Sequence, residues 1–263
     1  FKTEKEIQDM VRALENATFT VAEVREADKT LRPRPPFTTS QLQQTAANRL
    51  GFTSKKTMQI AQQLYEGISI GADRLGLITY MRTDSTRISA AALEEVRKFI
   101  GEKHPGALPE TPNFYAPGKS SQDAHEAIRP TQVSYTPEQM KAHLSRDQQR
   151  LYGLIWERFV SSQMTNALTR TISVDIQGGE ALFRASYTRT VDQGFQAALS
   201  ILAARETEKK LPTLAVGETL EREAFLQEQH FTTGPSRYTD ATIVKTLEEK
   251  GIGRPSTYAP IIS

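Results

Sequence analysis

Residues 40–82 read SQLQQTAANRLGFTSKKTMQIAQQLYEGISIGADRLGLITYMR, a stretch that holds two helical periods and then an apolar extended run. Leu42, Ala46 and Leu50 recur on one helical face, and Gly51 supplies a C-terminal stop. Ser54 caps a second helix that turns Met58, Ala61, Leu64 and Tyr65 inward, and the strand-like run Leu77 to Arg82 follows. Two short helices joined at Gly51-Phe52-Thr53 and followed by a strand have the layout of a winged helix-turn-helix. Helical hairpins with no nucleic-acid role share that layout, so the pattern sets the fold before it sets a function.

Upstream, Thr3 to Asn16 places Ile7, Met10, Val11 and Leu14 on one face, with Thr3 and Glu6 as a capping box. Thr18 to Ala27 alternates as a strand until Pro33, Pro35 and Pro36 stop regular structure. Downstream come a helix over Ser89 to Lys103, a Pro-rich loop over His104 to Ser121, and helices from Thr136 and from Ser145 to Ser161. The character then changes: Leu168 to Ile176, Ala181 to Tyr187 and Leu214 to Phe225 read as strands, with Gly178-Gly179 as a hairpin turn. The fold class expected is α+β and multidomain, with a helical, winged-helix-like block inserted into a strand-rich domain. On this reading residues 1–39 and 168–237 form the strand-rich domain and residues 40–167 the helical block. Residues 238–263 begin a further helical unit, with a helix over Thr239 to Lys250 closed by Gly251.

Composition narrows the classes. The 263 residues are 38% hydrophobic and 24% charged, the profile of a folded chain. Apolar runs such as Gly76 to Tyr80 fall far short of the roughly 20 residues a bilayer-spanning helix needs. With no cysteine and four histidines, a disulfide scaffold and a Cys-ligated zinc site are excluded. The formal charge of +2 conceals an asymmetry: from Lys29 to Arg87 nine basic residues face three acidic ones, which suits a polyanionic partner as well as a solvated surface. The chain opens on Phe1 and closes on Ser263 inside a starting helix, and reads as a piece of something larger.

Three clusters could carry chemistry. In Gly76-Leu-Ile-Thr-Tyr80-Met-Arg82-Thr-Asp84-Ser-Thr86, a Tyr and an Arg two residues apart share one face of an extended run. A phenol of pKa about 10 becomes a nucleophile only if its anion is stabilised, and a guanidinium does this while gripping a phosphate. Tyr80 with Arg82 therefore suits attack on a phosphodiester, although an edge-strand Tyr beside a solvated Arg has the same sequence. In Ala124-His125-Glu126-Ala-Ile-Arg129-Pro-Thr131, His125 and Arg129 would share a helical face aimed at a phosphate, and the second His of a metalloprotease motif is missing. In Gly251-Ile-Gly253-Arg254-Pro-Ser256-Thr257-Tyr258, a Gly-rich turn and a Pro-started helix offer free N–H groups to an anion, as ordinary helix starts also do.

Taken in order, these three motifs resemble those of the bacterial type IA DNA topoisomerases, in the topoisomerase I branch. Met81 between Tyr80 and Arg82 is similar to that branch, whereas the topoisomerase III branch usually has Pro there. Weaker agreement at Pro-Phe37-Thr-Thr-Ser40-Gln-Leu-Gln-Gln and Leu154-Ile-Trp156 extends the resemblance over nearly the whole chain.

The resemblance implies that Tyr80 attacks single-stranded DNA, forming a transient 5′-phosphotyrosine that is later religated without ATP, and so relaxes negative supercoils. Arg82 would stabilise the phosphorane charge and His125 would hydrogen-bond the scissile region. Arg129, Arg254, Ser256 and Thr257 would bind the DNA backbone; Asp84, from its place beside Arg82 and not from the resemblance, would order Arg82 or the turn. In the family's architecture the tyrosine-bearing block swings on the strand-rich hinge or gate domain. Mg²⁺ would be held by the family's toprim domain, which this segment lacks, so no metal ligand is expected here and the isolated chain is expected not to relax DNA. The expected partners are single-stranded or negatively supercoiled DNA and the rest of the same polypeptide, in the bacterial cytoplasm at the nucleoid. The alternative is a non-catalytic winged-helix module that uses Tyr80 for packing or base stacking.

Overall fold

A computed structural model describes residues 3–116, 125–200 and 212–262. In chain order the elements are α1 (Glu4–Ala13), β1 (Phe19–Leu31), α2 (Thr39–Leu50), α3 (Ser54–Glu66), β2 (Ile68–Ile70) and β3 (Asp73–Leu75). They continue with α4 (Ala90–Lys103), α5 (Pro137–Met140), α6 (Arg146–Ser162), β4 (Ala167–Gly178), β5 (Ala181–Asp192), β6 (Thr219–Leu220), α7 (Asp240–Glu249) and α8 (Tyr258–Ile262). The chain divides into two compact units. One comprises residues 1–31, 168–192 and 205–235, and the other residues 32–167, 193–204 and 236–263.

The strand-rich unit is a four-stranded sheet in the order β5-β4-β1-β6. β4 and β5 form a long antiparallel hairpin whose turn begins at Gly179, in the left-handed region with φ 55°. Beside it, a Cβ on Gly178 would lie 2.4 Å from the Phe19 ring, so this position has no room for a side chain. Phe19 meets Phe183 edge-on at 5.8 Å and Phe225 at 6.2 Å, and with Leu14, Val21 and Val174 it makes the small core of this unit. Asp175 ties three strands together: it accepts from Arg184 Nε at 2.6 Å on β5 and from Arg25 Nη2 at 2.7 Å on β1. The strand expected over Leu214 to Phe225 shrinks to Thr219 and Leu220, which pair with Thr20 and Phe19. Residues 221–238 have no regular structure and are mostly exposed.

The helical unit is organised around α6, which is buried from Leu151 to Ser162. A helix buried on every side needs partners all round it, and here they include α2, α3 and α5. Trp156 packs edge-on against Phe99 of α4 at 5.4 Å and donates to the Val133 carbonyl at 2.9 Å. Local signals explain the helix ends. Gly51 closes α2 at φ 70°, Thr53 rather than Ser54 caps α3, and Ser145 with Gln148 forms a reciprocal cap on α6. The helix expected from Thr136 is the single turn α5, because His143 and Ser145 begin a new turn and cap directly after it.

Two features of this unit depart from the sequence reading. First, a short hairpin, β2 with β3, lies between α3 and the apolar run, turning at Gly71 with φ 65°. Second, Leu77 to Arg82 joins no sheet ladder and bends at Met81; only Ile78 makes an isolated bridge, to Pro130. Within residues 238–263, read from sequence as the start of a further domain, α7 packs on α2 and α8 on α3. Ser40 Oγ donates to Glu248 at 2.7 Å, and the Ser54 amide donates to Asp240 at 2.8 Å. Neither α2 nor α3 has an acidic residue in its own first turn, so α7 supplies the negative charge that helix N-termini favour.

Candidate active site around Tyr80

Three extended segments, distant in sequence, lie side by side and hold Tyr80 in place. The Thr79 amide donates to Arg129 O at 2.9 Å and the Thr131 amide to Leu77 O at 3.0 Å. On the other side the Ile128 amide donates to Phe37 O at 2.8 Å. Threonine side chains complete the clamp. Thr79 Oγ1 donates to Ala127 O at 2.7 Å and accepts from the Arg129 amide at 3.0 Å. Thr39, the first residue of α2 and fully buried, donates from Oγ1 to Met81 O at 2.7 Å and accepts from the Thr83 amide at 2.8 Å. Its own amide donates to Thr83 O at 2.9 Å.

From Tyr80 to Thr83 exposure alternates residue by residue. Leu77, Ile78 and Met81 are buried in the core, whereas Tyr80 and Arg82 are exposed, with Tyr80 at 41%. The Tyr80 ring stands edge-on to Tyr65 at 5.4 Å and tilted to His125 at 6.0 Å. A cleft of about 290 Å³ is lined by Tyr65, Thr79, Tyr80, His125 and Glu126. Neither the Tyr80 hydroxyl nor the Arg82 guanidinium bonds to any described residue, so both are available to a ligand.

The structure brings Tyr80 and His125 together, with Arg82 exposed two residues along the chain, but not through a helix at His125. Residues 125–131 are extended, so the shared helical face expected for His125 and Arg129 does not form. Arg129 turns inward at 12% side-chain exposure. Its Nε and Nη2 donate to Glu126 Oε2 at 3.0 and 2.6 Å, and its Nη1 donates to Pro130 O at 2.9 Å. In this arrangement Arg129 fastens the His125 segment instead of presenting a free cation. Ala124 of the same motif lies outside the described residues, as do residues 117–121 of the Pro-rich loop.

Asp84 is half-buried, and its carboxylate acts on Tyr258, whose phenol is pushed up by burial first and then by Glu248 and Asp84. In the third motif Arg254, Ser256 and Thr257 are exposed, and Thr257 Oγ1 accepts from the Arg254 amide at 2.8 Å, a local turn. Sequence reasoning passed over Tyr65 as a site residue and over Thr39, Thr79 and Glu126 as its framework. For Thr79 a signal existed, a lone hydroxyl inside an apolar run. Among the described residues, no three carboxylate or imidazole side chains converge to hold a metal, so they do not fit a Mg²⁺ site.

All 263 residues match a family model described as DNA topoisomerase. The chain belongs to the DNA topoisomerase family. Family relatives include DNA topoisomerase 1 of Treponema pallidum, 56% identical over 264 residues, covering 100% of this chain and 36% of that protein. DNA topoisomerase 1 of Xylella fastidiosa is 50% identical over 252 residues, covering 92% of this chain and 31% of the relative. The chain thus spans about a third of the length of these curated relatives. Among solved structures, full-length topoisomerase I from Thermotoga maritima superposes with a TM-score of 0.81 at 34% identity, over 100% of this chain and 42% of that one. The mixed α and β fold is therefore that of a topoisomerase I. No helix among the described residues is long and apolar enough to cross a membrane.

Proposed function

We propose that this chain is the tyrosine-bearing segment of a type IA DNA topoisomerase. The observation that carries the reading is Tyr80: an exposed phenol with an unengaged hydroxyl, two residues from an exposed and unengaged guanidinium and against His125, on a backbone clamped from both sides. In the reaction the Tyr80 oxygen forms a bond to the phosphorus of a DNA phosphodiester and the bond to the 3′ oxygen breaks. The phenol proton leaves, and the departing 3′ oxygen takes up a proton to become a free hydroxyl. The 5′ phosphate stays on Tyr80, and attack by the 3′ hydroxyl reverses the step with no net energy input. Arg82 meets the negative charge that builds on the phosphoryl oxygens, the kind of preorganised charge that dominates such transfers. His125 donates to the same group from the opposite wall of the cleft.

In this reading α2, α3 and the β2–β3 hairpin make a winged-helix-type unit, and the strand-rich unit is the hinge on which it swings. Arg254, Ser256 and Thr257 bind the strand backbone, and Arg129 serves by holding the His125 segment. Mg²⁺ is bound by residues of the longer polypeptide, and the substrate is single-stranded or negatively supercoiled DNA in the bacterial cytoplasm. The test is covalent trapping: labelled single-stranded oligonucleotide and Mg²⁺ with the full-length protein, denatured rapidly and resolved on a gel beside Tyr80→Phe. Label travelling with the wild type and absent from Tyr80→Phe is expected. No adduct from the wild type would leave the non-catalytic binding module as the reading.

A further inference from the structure

Arg158 is the most unusual charge in the helical unit. It lies one turn before the end of α6 at 6% exposure, with its guanidinium carbon 4.2 Å above the centroid of the fully buried Phe37 ring. Its carbonyl accepts from Ser161 Oγ at 3.2 Å, but its guanidinium makes no hydrogen bond or ion pair with any described residue. The carbonyl it could have reached at the end of α6, Ser162 O, is already taken by Tyr115 Oη at 2.7 Å and Asn113 Nδ2 at 3.0 Å. Burial, and next the nearby Arg34, push the Arg158 guanidinium down to about 10, which leaves it charged at neutral pH. No carboxylate offsets that charge among the described residues; the neighbouring cation is exposed Arg34, and the carbonyl of adjacent Pro33 lies 3.3 Å from the same Tyr115 hydroxyl that donates to Ser162 O at the end of α6. The 6% of its surface that stays exposed is where a ligand would meet it.

An uncompensated buried cation is costly, and a Met of similar length would fill the same space without that cost. Stacking on Phe37 recovers part of it, and the negative end of α6 a little more. Among the described residues the pocket holds no anion. We propose that Arg158 and Arg34 together bind one backbone phosphate of a nucleic-acid strand, at a site separate from Tyr80. The inference rests on the DNA-processing reading above for the identity of the anion. A planar guanidinium held flat on a ring presents its edge in the geometry that suits a phosphate. Arg34, on the surface, meets the strand first. The surrounding run of nine basic against three acidic residues from Lys29 to Arg87 favours a phosphate chain over an acidic peptide segment or an isolated metabolite.

The test uses the full-length protein, a fluorescent single-stranded oligonucleotide and anisotropy over a potassium chloride series, for wild type, Arg34→Gln, Arg158→Met and the double variant. Wild type binds with a steep salt dependence. Each single variant is expected to bind about tenfold more weakly at low salt, as for a lost charged hydrogen bond, and to lower the salt slope by about 0.7, the value for one phosphate on a single strand. Because both residues share the phosphate, the double variant loses less than the two single losses combined. Thermal melting of Arg158→Met is expected to be unchanged or higher, which a packing role would not produce. Unchanged slopes in both single variants overturn the proposal while leaving the function reading intact. A lower melting temperature for Arg158→Met, with wild-type binding by the folded fraction, also overturns it and makes Arg158 a packing residue. If inorganic phosphate stabilises wild type but not Arg158→Met, and the oligonucleotide slopes do not move, the strand assignment is overturned in favour of a free anion. Failure of the wild type to bind the oligonucleotide at all removes the function reading and this proposal together.

Discussion

Replacing Thr39 by Val should be strongly destabilising, although Val is the more apolar residue and the site is fully buried. A pure burial argument gives the opposite sign, which makes the substitution informative. The hydroxyl of Thr39 donates to Met81 O at 2.7 Å and accepts from the Thr83 amide at 2.8 Å. Valine keeps the shape and removes both bonds, leaving one carbonyl and one amide beside a methyl group. A buried polar group deprived of its partner costs about 1–3 kcal/mol, so the pair together costs about 2–6 kcal/mol. Against a typical total stability of about 5–15 kcal/mol, that loss is large. Thr39→Ser keeps the hydroxyl and gives up one methyl, about 1 kcal/mol. Urea unfolding of the full-length protein measures the difference, read as a shift in midpoint at constant slope. The same turn carries Arg82, so adduct formation should fall with Val and return with Ser. A Thr39→Val protein as stable as wild type, or a Ser variant as damaged as the Val one, would refute the clamp.

Arg129→Ala should cost about 2 kcal/mol, because it strands the Glu126 carboxylate in a half-buried site; adding Glu126→Gln should recover part of the loss in thermal melts, and additive losses would sink the idea. In the strand-rich unit, the hydrogen-bonded Arg184 guanidinium, and with it Arg25, holds the Asp175 carboxyl below the usual carboxylate range against a smaller opposing effect of burial. The folded-state value is thus the lower one, so this stabilisation is complete above the unfolded value of about 4 and is lost as pH falls through the depressed value. Melting temperatures of wild type should therefore fall more steeply below about pH 4 than those of Asp175→Asn; parallel curves would contradict this.

How much of this was legible in the sequence depended on where each element found its partners. Both helices of residues 39–66, the buried α6 and the β4–β5 hairpin announce themselves through caps, periodicity and the Gly178-Gly179 turn, all within a few residues. The chemical triplet of Tyr80, Arg82 and His125 was legible as residue types. Its framework was not. Leu77 to Arg82 looks like a strand by composition but bonds to Thr39 and to residues 127–131, some 40 to 50 positions away, in single bonds that never build a ladder. Residues 125–129 have a helical spacing, yet their amides are claimed by Arg87 and Phe37 and the Thr79 hydroxyl, so no helix closes. Glu126 captures Arg129 for the same reason, and Phe37 takes Arg158 onto its face. The sequence by itself determined the helices, the hairpin and the reactive residue types, because those depend on neighbours along the chain. Only the tertiary structure decided which arginines stay free and which are spent on the scaffold, because a guanidinium goes to whatever acceptor or ring the fold brings within about 4 Å.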